Sequence, residues 1–187
     1  MELLENLEDN LLMEKVRNGD FRQMGLLFDR HHQGLFGFFY RMTNNSAQSE
    51  DMVQSVFYRL LKYRNTFRNE GKFTYWMYAV ARNVLKDWYR KHDPIKQSRE
   101  LNDLEATFTD GMNQEEHIQL KERKVLLKKA LQRLPAEQRE AIILSRFRGF
   151  KYKEIAEISN VSENAVKARV RRGLQELQNI IKAAESK

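Results

Sequence analysis

The chain has 187 residues, enough for one large domain or two small ones, and a formal net charge of +7. It contains no cysteine, which excludes disulfides and thiolate metal sites. No apolar run is long enough to cross a membrane, and the N-terminus is acidic where a signal peptide is basic, so we expect a cytoplasmic protein without membrane insertion.

The charge is unevenly distributed. Residues 1–92 carry a net charge of +3, residues 93–116 a net charge of −5, and residues 117–187 a net charge of +9. Only two prolines and eight glycines occur, which favours an almost wholly helical chain. Residues 93–116 lack periodicity and are too many for a loop inside a compact domain. We therefore predict an all-α protein of two small helical domains, 1–92 and 117–187, joined by a flexible acidic linker, 93–116.

Residues 10–43 predict two helices. Gly19 would end the first, and Asp20 would cap the second. The second helix has a heavily aromatic face, which predicts a core position for Phe21, Met24, Leu27, Phe28, Leu35, Phe36, Phe38 and Phe39.

A third helix is predicted from a cap at Asn45 or Ser46 to about Tyr63. Its apolar stripe consists of Met52, Val53, Val56, Phe57, Leu60 and Leu61. Its other side presents the polar residues Glu50, Asp51, Gln54, Tyr58, Arg59 and Lys62.

A polar loop, 64–71, precedes a fourth helix from about Lys72 to Lys91. Seven aromatic residues alternate here with seven cations, which suits unpaired bases because bases stack on rings while cations bind the backbone. The loop could also receive an extruded base. The alternative is that the rings are core, which we expect for Phe73 and Trp76. The residues expected on a nucleic-acid face are Arg68, Asn69, Tyr75, Arg82 and Lys86.

Periodicity resumes near His117 and breaks at Pro135, and the following helix stops at Gly149. Residues 152–172 then predict a helix-turn-helix with a turn at Asn160 and a cap from Ser162. Inward positions of its second helix are Ala165, Val166, Val170 and Leu174. Outward positions are Glu163, Asn164, Lys167, Arg169, Arg171 and Arg172. Two short helices joined by a turn often serve only to pack the core of a helical domain. Here the basic outer face of the second helix favours binding in the major groove of duplex DNA.

No site for covalent chemistry emerges. The histidines at positions 31, 32, 92 and 117 lack the spacing of metal ligands. We find no serine or histidine in a catalytic setting, no clustered serine, tyrosine or carboxylate set, and no glycine-rich phosphate loop. We expect no metal, no cofactor and no catalytic residue, and hence no enzyme. Two rivals are a helix-turn-helix regulator with a sensor domain and a DNA-processing enzyme. The regulator would need neither the aromatic and basic residues of the fourth helix nor the polar side of the third helix. The enzyme would need a cluster of catalytic residues, which we do not find.

Residues 49–57, residues 73–83 and residues 134–141 with the helix-turn-helix are three motifs that together resemble those of bacterial RNA polymerase sigma factors. Residues 49–57 (SEDMVQSVF) resemble the signature of sigma domain two, and residues 73–83 (FTYWMYAVARN), with Asp87 and Arg90, resemble its promoter-melting helix. Residues 134–141 (LPAEQREA) and the helix-turn-helix resemble sigma domain four. The short chain with only an acidic linker between them is similar to the extracytoplasmic-function (ECF) subgroup.

The resemblance implies a sigma factor that binds core RNA polymerase, directs it to promoters and nucleates strand opening. The implied polymerase-binding residues are Asp51, Gln54, Tyr58 and Arg59. Those implied at the minus-ten element are Asn65, Arg68, Asn69, Lys72, Tyr75, Arg82, Asn83 and Lys86. Those implied at the minus-thirty-five element are Ser162, Glu163, Asn164, Lys167, Arg169, Arg171 and Arg172. The partners are core polymerase, promoter DNA in duplex and locally melted form, and an anti-sigma factor, by which family members are often inhibited. The linker would pass through the polymerase cleft and RNA exit path. Ser55 departs from the acidic residue usual in the family.

Overall fold

A computed structural model describes residues 2–68, 70–91 and 114–185. Within these ranges the chain forms eight α-helices and no strand, which confirms the predicted all-α class. The helices are α1 (Glu2–Arg17), α2 (Gln23–Thr43), α3 (Ser46–Lys62), α4 (Phe73–Lys91), α5 (Gln114–Arg133), α6 (Ala136–Ile142), α7 (Tyr152–Ser159) and α8 (Glu163–Glu185). None of the helices in these ranges is both long and apolar enough to cross a bilayer.

The helices group into an N-terminal module, α1–α4, and a C-terminal module, α5–α8. α5 begins at Gln114, three residues before the point where periodicity resumes in the sequence. The rest of the predicted linker, residues 93–113, lies outside the described residues.

Local sequence determines how the first three helices begin and end. Gly19 has φ +104°, a left-handed conformation that terminates α1 as predicted. The predicted cap at Asp20 is wrong, because α2 begins only at Gln23, whose side chain donates to the Asp20 carboxylate at 2.8 Å. Asn44, at φ 57°, ends α2, and the Asn45 side chain caps α3 by accepting from the amide of Gln48.

The core of the N-terminal module is formed by the apolar faces of α1, α2, α3 and α4, and it is continuous with buried apolar residues of the C-terminal module such as Ile143 and Leu144. Leu35, Phe38 and Phe39 are fully buried, in agreement with the predicted aromatic face. Phe21 is an exception: it is 53% exposed and lies outside α2, with the guanidinium of Arg64 over its ring. Phe73, predicted to be core, is fully buried.

The C-terminal module contains the predicted helix-turn-helix. Asn160, at φ 52°, ends α7, and the Ser162 hydroxyl accepts from the amide of Ala165 at 3.2 Å, so both turn predictions are confirmed. Leu174, predicted to point inward, is instead 37% exposed. Gly173 lies where α8 crosses closely over α6, since a Cβ atom at this position would be only 2.7 Å from Ile142 Cδ1. The inward row of α8 therefore continues through Gly173 to Leu177 rather than through Leu174.

The two modules pack against each other. α2 and α4 of the N-terminal module contact α5, α6 and α7, together with the turn of π-helix at Ile143–Phe147 that follows α6. Gly149, at φ 74°, then turns the chain into α7. The contact places the start of α4 and its middle against the C-terminal module.

Candidate polymerase and nucleic-acid interfaces

The polar side of α3 is an exposed surface. Asp51, Gln54 and Tyr58 follow one another at helical spacing and are all exposed, and Tyr58 retains 65% of its accessible surface. An exposed aromatic side chain of this size beside a carboxylate and an amide is typical of a protein-binding surface. The structure thus brings together three of the four residues predicted to bind polymerase.

The fourth, Arg59, lies beside that surface but already has a partner. Its Nη2 is 2.7 Å from a carboxylate oxygen of Asp87 on α4. The hydrogen bond from Arg59 lowers the pKa of Asp87, so this carboxyl is ionised at neutral pH. Asp87, one of the residues that carry the family resemblance, therefore connects α4 to α3.

The residues predicted to contact the minus-ten element fall into two groups. Asn65 and Arg68 in the loop, and Asn83 and Lys86 on α4, are exposed to solvent. Lys72, Tyr75 and Arg82 instead face the C-terminal module. Asn69 lies outside the described residues.

Three of the aromatic residues before and within α4 are structural. Phe67 is 2% exposed, and its ring lies 5.3 Å from that of Trp76, which is partly buried against the core. Trp76 and the fully buried Phe73 therefore support the position of the loop rather than offering a surface for bases. Tyr75 remains at the boundary, half-buried, with its hydroxyl donating to Glu154.

The start of α8 presents the predicted duplex-binding face. Glu163, Asn164 and Lys167 are exposed, and Lys167 Nζ lies 2.8 Å from a Glu163 carboxylate oxygen. Further along, Arg171 and Arg172 are exposed. Because exposed ion pairs are weak, Lys167 can exchange its partner for a phosphate.

Arg169 differs from the other basic residues of α8. Its Nη2 lies 2.8 Å from a carboxylate oxygen of Glu137 at the start of α6, and its side chain is only 20% exposed. Arg169 and Arg172 line a cleft of about 390 Å³ with Pro135, Ala136 and Ala165. The cleft combines two guanidinium groups with the amide-rich beginning of a helix.

No metal centre appears among the residues that the structure describes, since they contain no group of three or more His, Asp or Glu side chains that could bind an ion. His31 Nε2 lies 2.7 Å from the buried carboxylate of Asp9, and His32 stacks on Phe28. The N-terminal histidines therefore have structural partners.

Sequence reasoning missed the residues of the C-terminal module that contact α4. Glu140 is 7% exposed and pairs with Arg82, and Glu154 accepts from Tyr75. One signal was available: Glu140 immediately precedes the apolar pair Ala141 and Ile142 on a helix too short to have a wide polar face. A charged residue at such a position requires a partner.

Comparison with known proteins agrees with this architecture. Family models for "Sigma-70 region 2" and "Sigma-70, region 4" match residues 27–95 and 124–177. The chain is 32% identical to the ECF RNA polymerase sigma factor SigX of Bacillus subtilis over 161 residues, 82% of this chain and 80% of that protein.

Two solved structures are similar. CnrH, in complex with the cytosolic domain of CnrY, matches with a TM-score of 0.72 and 22% identity over 94% of this chain and 97% of that one. The sigma factor RpoE of Bartonella quintana, in complex with the anti-sigma factor NepR, matches with a TM-score of 0.67 and 26% identity over 87% of this chain and 97% of that one.

Two helical modules, one ending in a helix-turn-helix, define a transcription initiation factor of the sigma-70 type. The chain belongs to the ECF RNA polymerase sigma factor family.

Proposed function

We propose that this sigma factor binds core RNA polymerase through α3, reads the minus-thirty-five element with α8 and captures the unpaired non-template strand at the minus-ten element. Capture of the unpaired strand would nucleate promoter opening. The chain would use binding energy alone and carry out no covalent chemistry. It would act in the cytoplasm.

The α3 surface supports the polymerase contact. Asp51, Gln54 and Tyr58 form one exposed row, with Arg59 beside it. The family resemblance assigns this surface to the clamp coiled coil of the largest polymerase subunit. The ion pair with Asp87 would orient Arg59 at the edge of that contact.

The α8 surface supports duplex recognition. The exposed residues at its start, Ser162, Glu163, Asn164 and Lys167, would face base edges, and Arg171 and Arg172 would contact phosphates. Arg169, paired with Glu137, would present a fixed guanidinium to the groove. The net charge of +9 on residues 117–187 supplies the attraction to phosphates.

The row of residues along α4 carries the strand-opening step. Tyr75, Arg82 and Lys86 lie on one helical face at spacings of seven and four residues. An aromatic ring followed by two cations is the arrangement that binds an unpaired base and its backbone. Asn83 and the loop residues Asn65, Arg68 and Asn69 would extend this surface, and Lys72 would lie at its start.

The remaining proposals concern organisation and partners. We propose domain limits of 1–92 and 117–187, with the acidic linker 93–116 placed in the polymerase cleft. We also propose an anti-sigma partner, supported by the likeness to RpoE, which was solved with the anti-sigma factor NepR.

Permanganate footprinting of the reconstituted holoenzyme tests the strand-opening step. Wild type should make thymines in the minus-ten region reactive, whereas Lys86→Ala should reduce that reactivity more than it reduces promoter binding. Lys15→Ala, which removes an exposed cation from α1, is the matched control. Equal losses of opening and binding in Lys86→Ala would assign Lys86 to general phosphate attraction instead.

A further inference from the structure

The polar loop before α4 is held by side chains of α1, a helix that lies far away in the sequence. Asn10 Nδ2 donates to the carbonyl oxygen of Gly71 at 2.8 Å, and Asn10 Oδ1 accepts from the backbone amide of Phe73 at 2.7 Å. Arg17 Nη1 donates to the carbonyl oxygen of Phe67 at 3.3 Å. α1 therefore contacts the backbone at both ends of the part of the loop that leads into α4.

Asn10 also provides the cap that the sequence just before α4 lacks. The amides of the first turn of a helix need acceptors, which a Ser, Thr, Asp or Asn immediately before the helix usually provides. Gly71 has no side chain and Lys72 has no acceptor atom in its side chain. The oxygen of Asn10 fills this role from α1, because it accepts from the first amide of α4. One side chain therefore fixes both the end of the loop and the beginning of the helix.

α1 is itself fixed within the N-terminal module. The carboxylate of Asp9, which is 4% exposed, lies 2.8 Å from Arg30 Nη1 and 2.7 Å from His31 Nε2 on α2. Met13, one turn after Asn10 on the same side of α1, is fully buried. Because α1 is anchored by both an ion pair and apolar packing, the side chains that it extends to the loop start from fixed positions.

Aromatic packing closes the base of the loop. The rings of Phe67 and Phe73 lie 6.2 Å apart between centroids, and both residues are buried. Arg68 and Glu70, which lie between them in the sequence, are exposed. The loop thus combines a buried base with exposed polar side chains, which suits a pocket for an extruded base because such a pocket needs rigid support.

We propose that Asn10 and Arg17 are positioning residues for minus-ten recognition, because by holding both ends of the loop they set the shape of the pocket that receives the extruded base. This inference rests on the proposed function of the loop and α4. Neither residue would touch the base. Contacts that distinguish one base from another must be placed to within about 0.5 Å, whereas attraction to phosphates tolerates movement. A loop released from α1 would therefore lose base selectivity before it loses affinity for the strand.

The test uses holoenzyme reconstituted from core polymerase and the full chain. A promoter that wild-type holoenzyme opens is prepared as a pre-melted bubble, with each base in turn at every non-template position of the minus-ten element. The selectivity ratio is the affinity for the preferred base divided by the affinity for the next best base. Because this ratio is measured on assembled holoenzyme, a variant that only lowers the fraction of folded chain does not change it.

Three variants release the loop and one serves as the control. Asn10→Ala removes both hydrogen bonds, whereas Asn10→Asp keeps an acceptor for the Phe73 amide and loses the donor to Gly71. Asn10→Asp therefore retains the cap of α4 and is the variant that should fold as wild type does. Arg17→Gln shortens the side chain that holds the other end of the loop. Asn18→Ala, which changes an exposed asparagine just after α1, is the control.

The selectivity ratio should fall in the three variants and not in the control. Asn10→Asp should lower it about tenfold at the position of the captured base, as expected for loss of one hydrogen bond, and Asn10→Ala should lower it at least as much. Arg17→Gln should lower it about threefold, because its hydrogen bond is longer. All of these chains should bind core polymerase, and a duplex that carries only the minus-thirty-five element, as wild type does.

Unchanged selectivity would overturn the proposal. A wild-type ratio in Asn10→Ala or Asn10→Asp would show that Asn10 only stabilises the module, even if the melting temperature of the variant falls, and a wild-type ratio in Arg17→Gln would show the same for Arg17. An equal loss in Asn18→Ala would show that any change in this region has the effect. Failure of the proposed function would look different, because wild-type holoenzyme itself would then bind all of the bubbles equally well.

Discussion

The salt dependence of duplex binding is the prediction that follows most directly from the charge on α8. Four cations, Lys167, Arg169, Arg171 and Arg172, lie on its proposed DNA face. If each neutralises one phosphate, the logarithm of the binding constant should fall with the logarithm of salt concentration with a slope of about −3.6. A fourfold rise in salt, from about 50 to 200 mM, would then weaken binding about 150-fold.

Fluorescence anisotropy of the full chain with a labelled duplex measures this slope. Arg171→Ala removes one exposed cation and should reduce the slope to about −2.7, so that the same change in salt weakens binding about 40-fold. Lys15→Ala on α1 should leave the slope of wild type. A slope near zero, or equal slopes for Arg171→Ala and wild type, would refute the assignment of α8 to the phosphate backbone.

Three further outcomes are expected. Tyr58→Ala should weaken binding to core polymerase about tenfold or more without lowering the melting temperature, because this side chain is exposed in the free protein; a drop in melting temperature would mean that it packs instead. Phe38→Ala should cost about 3–5 kcal/mol of unfolding free energy in urea denaturation, since Phe38 is fully buried, and a cost below about 1 kcal/mol would contradict that position. Burial raises the pKa of Asp9, but the interactions with His31 and Arg30 lower it by a larger amount, so the net pKa is lowered. The ionised Asp9 therefore stabilises the fold at neutral pH, and this contribution is lost as the pH falls below about 4 through the lowered pKa. Asp9→Asn should make the free energy of unfolding less dependent on pH in acid, and parallel curves of unfolding free energy against pH for the variant and wild type would exclude this role.

Local signals in the sequence predict most of the helices. Gly19 and Asn160 occupy left-handed conformations that end helices, and Asn45 and Ser162 provide side-chain caps. These features depend on three or four neighbouring residues, which is why the sequence reveals them. Asp20 shows where such local prediction fails, because a residue suited to capping does not by itself determine at which residue the helix begins.

Contacts between distant residues were not predictable in the same way. Leu174 and Gly173 are neighbours on α8, and only the close crossing of α6 decides which of them faces inward. Likewise, the sequence indicates that Tyr75 and Arg82 share a helical face, but not that Glu140 and Glu154 lie against it. Those partners are 58 and 79 residues away, and no periodicity connects them.

In the candidate site too, the sequence shows which residues share a helical face, whereas their contacts with other helices depend on tertiary packing. Asp51, Gln54 and Tyr58 share a face because they belong to one helix, and the structure adds that Arg59 is paired with Asp87. Similarly, the sequence places Arg169 on the outer side of α8, whereas its pairing with Glu137 depends on the packing of α6. Sequence indicates which residues can act together, and tertiary packing decides which of them are available.

Transcription by a reconstituted holoenzyme tests the central claim most directly. Core polymerase with the purified chain should produce run-off transcripts from defined start sites on a genomic promoter library, and Tyr58→Ala should reduce their yield. Core polymerase alone should not produce them. Identical transcripts and start sites with and without the chain would mean that it does not direct promoter selection, which would contradict the proposed function.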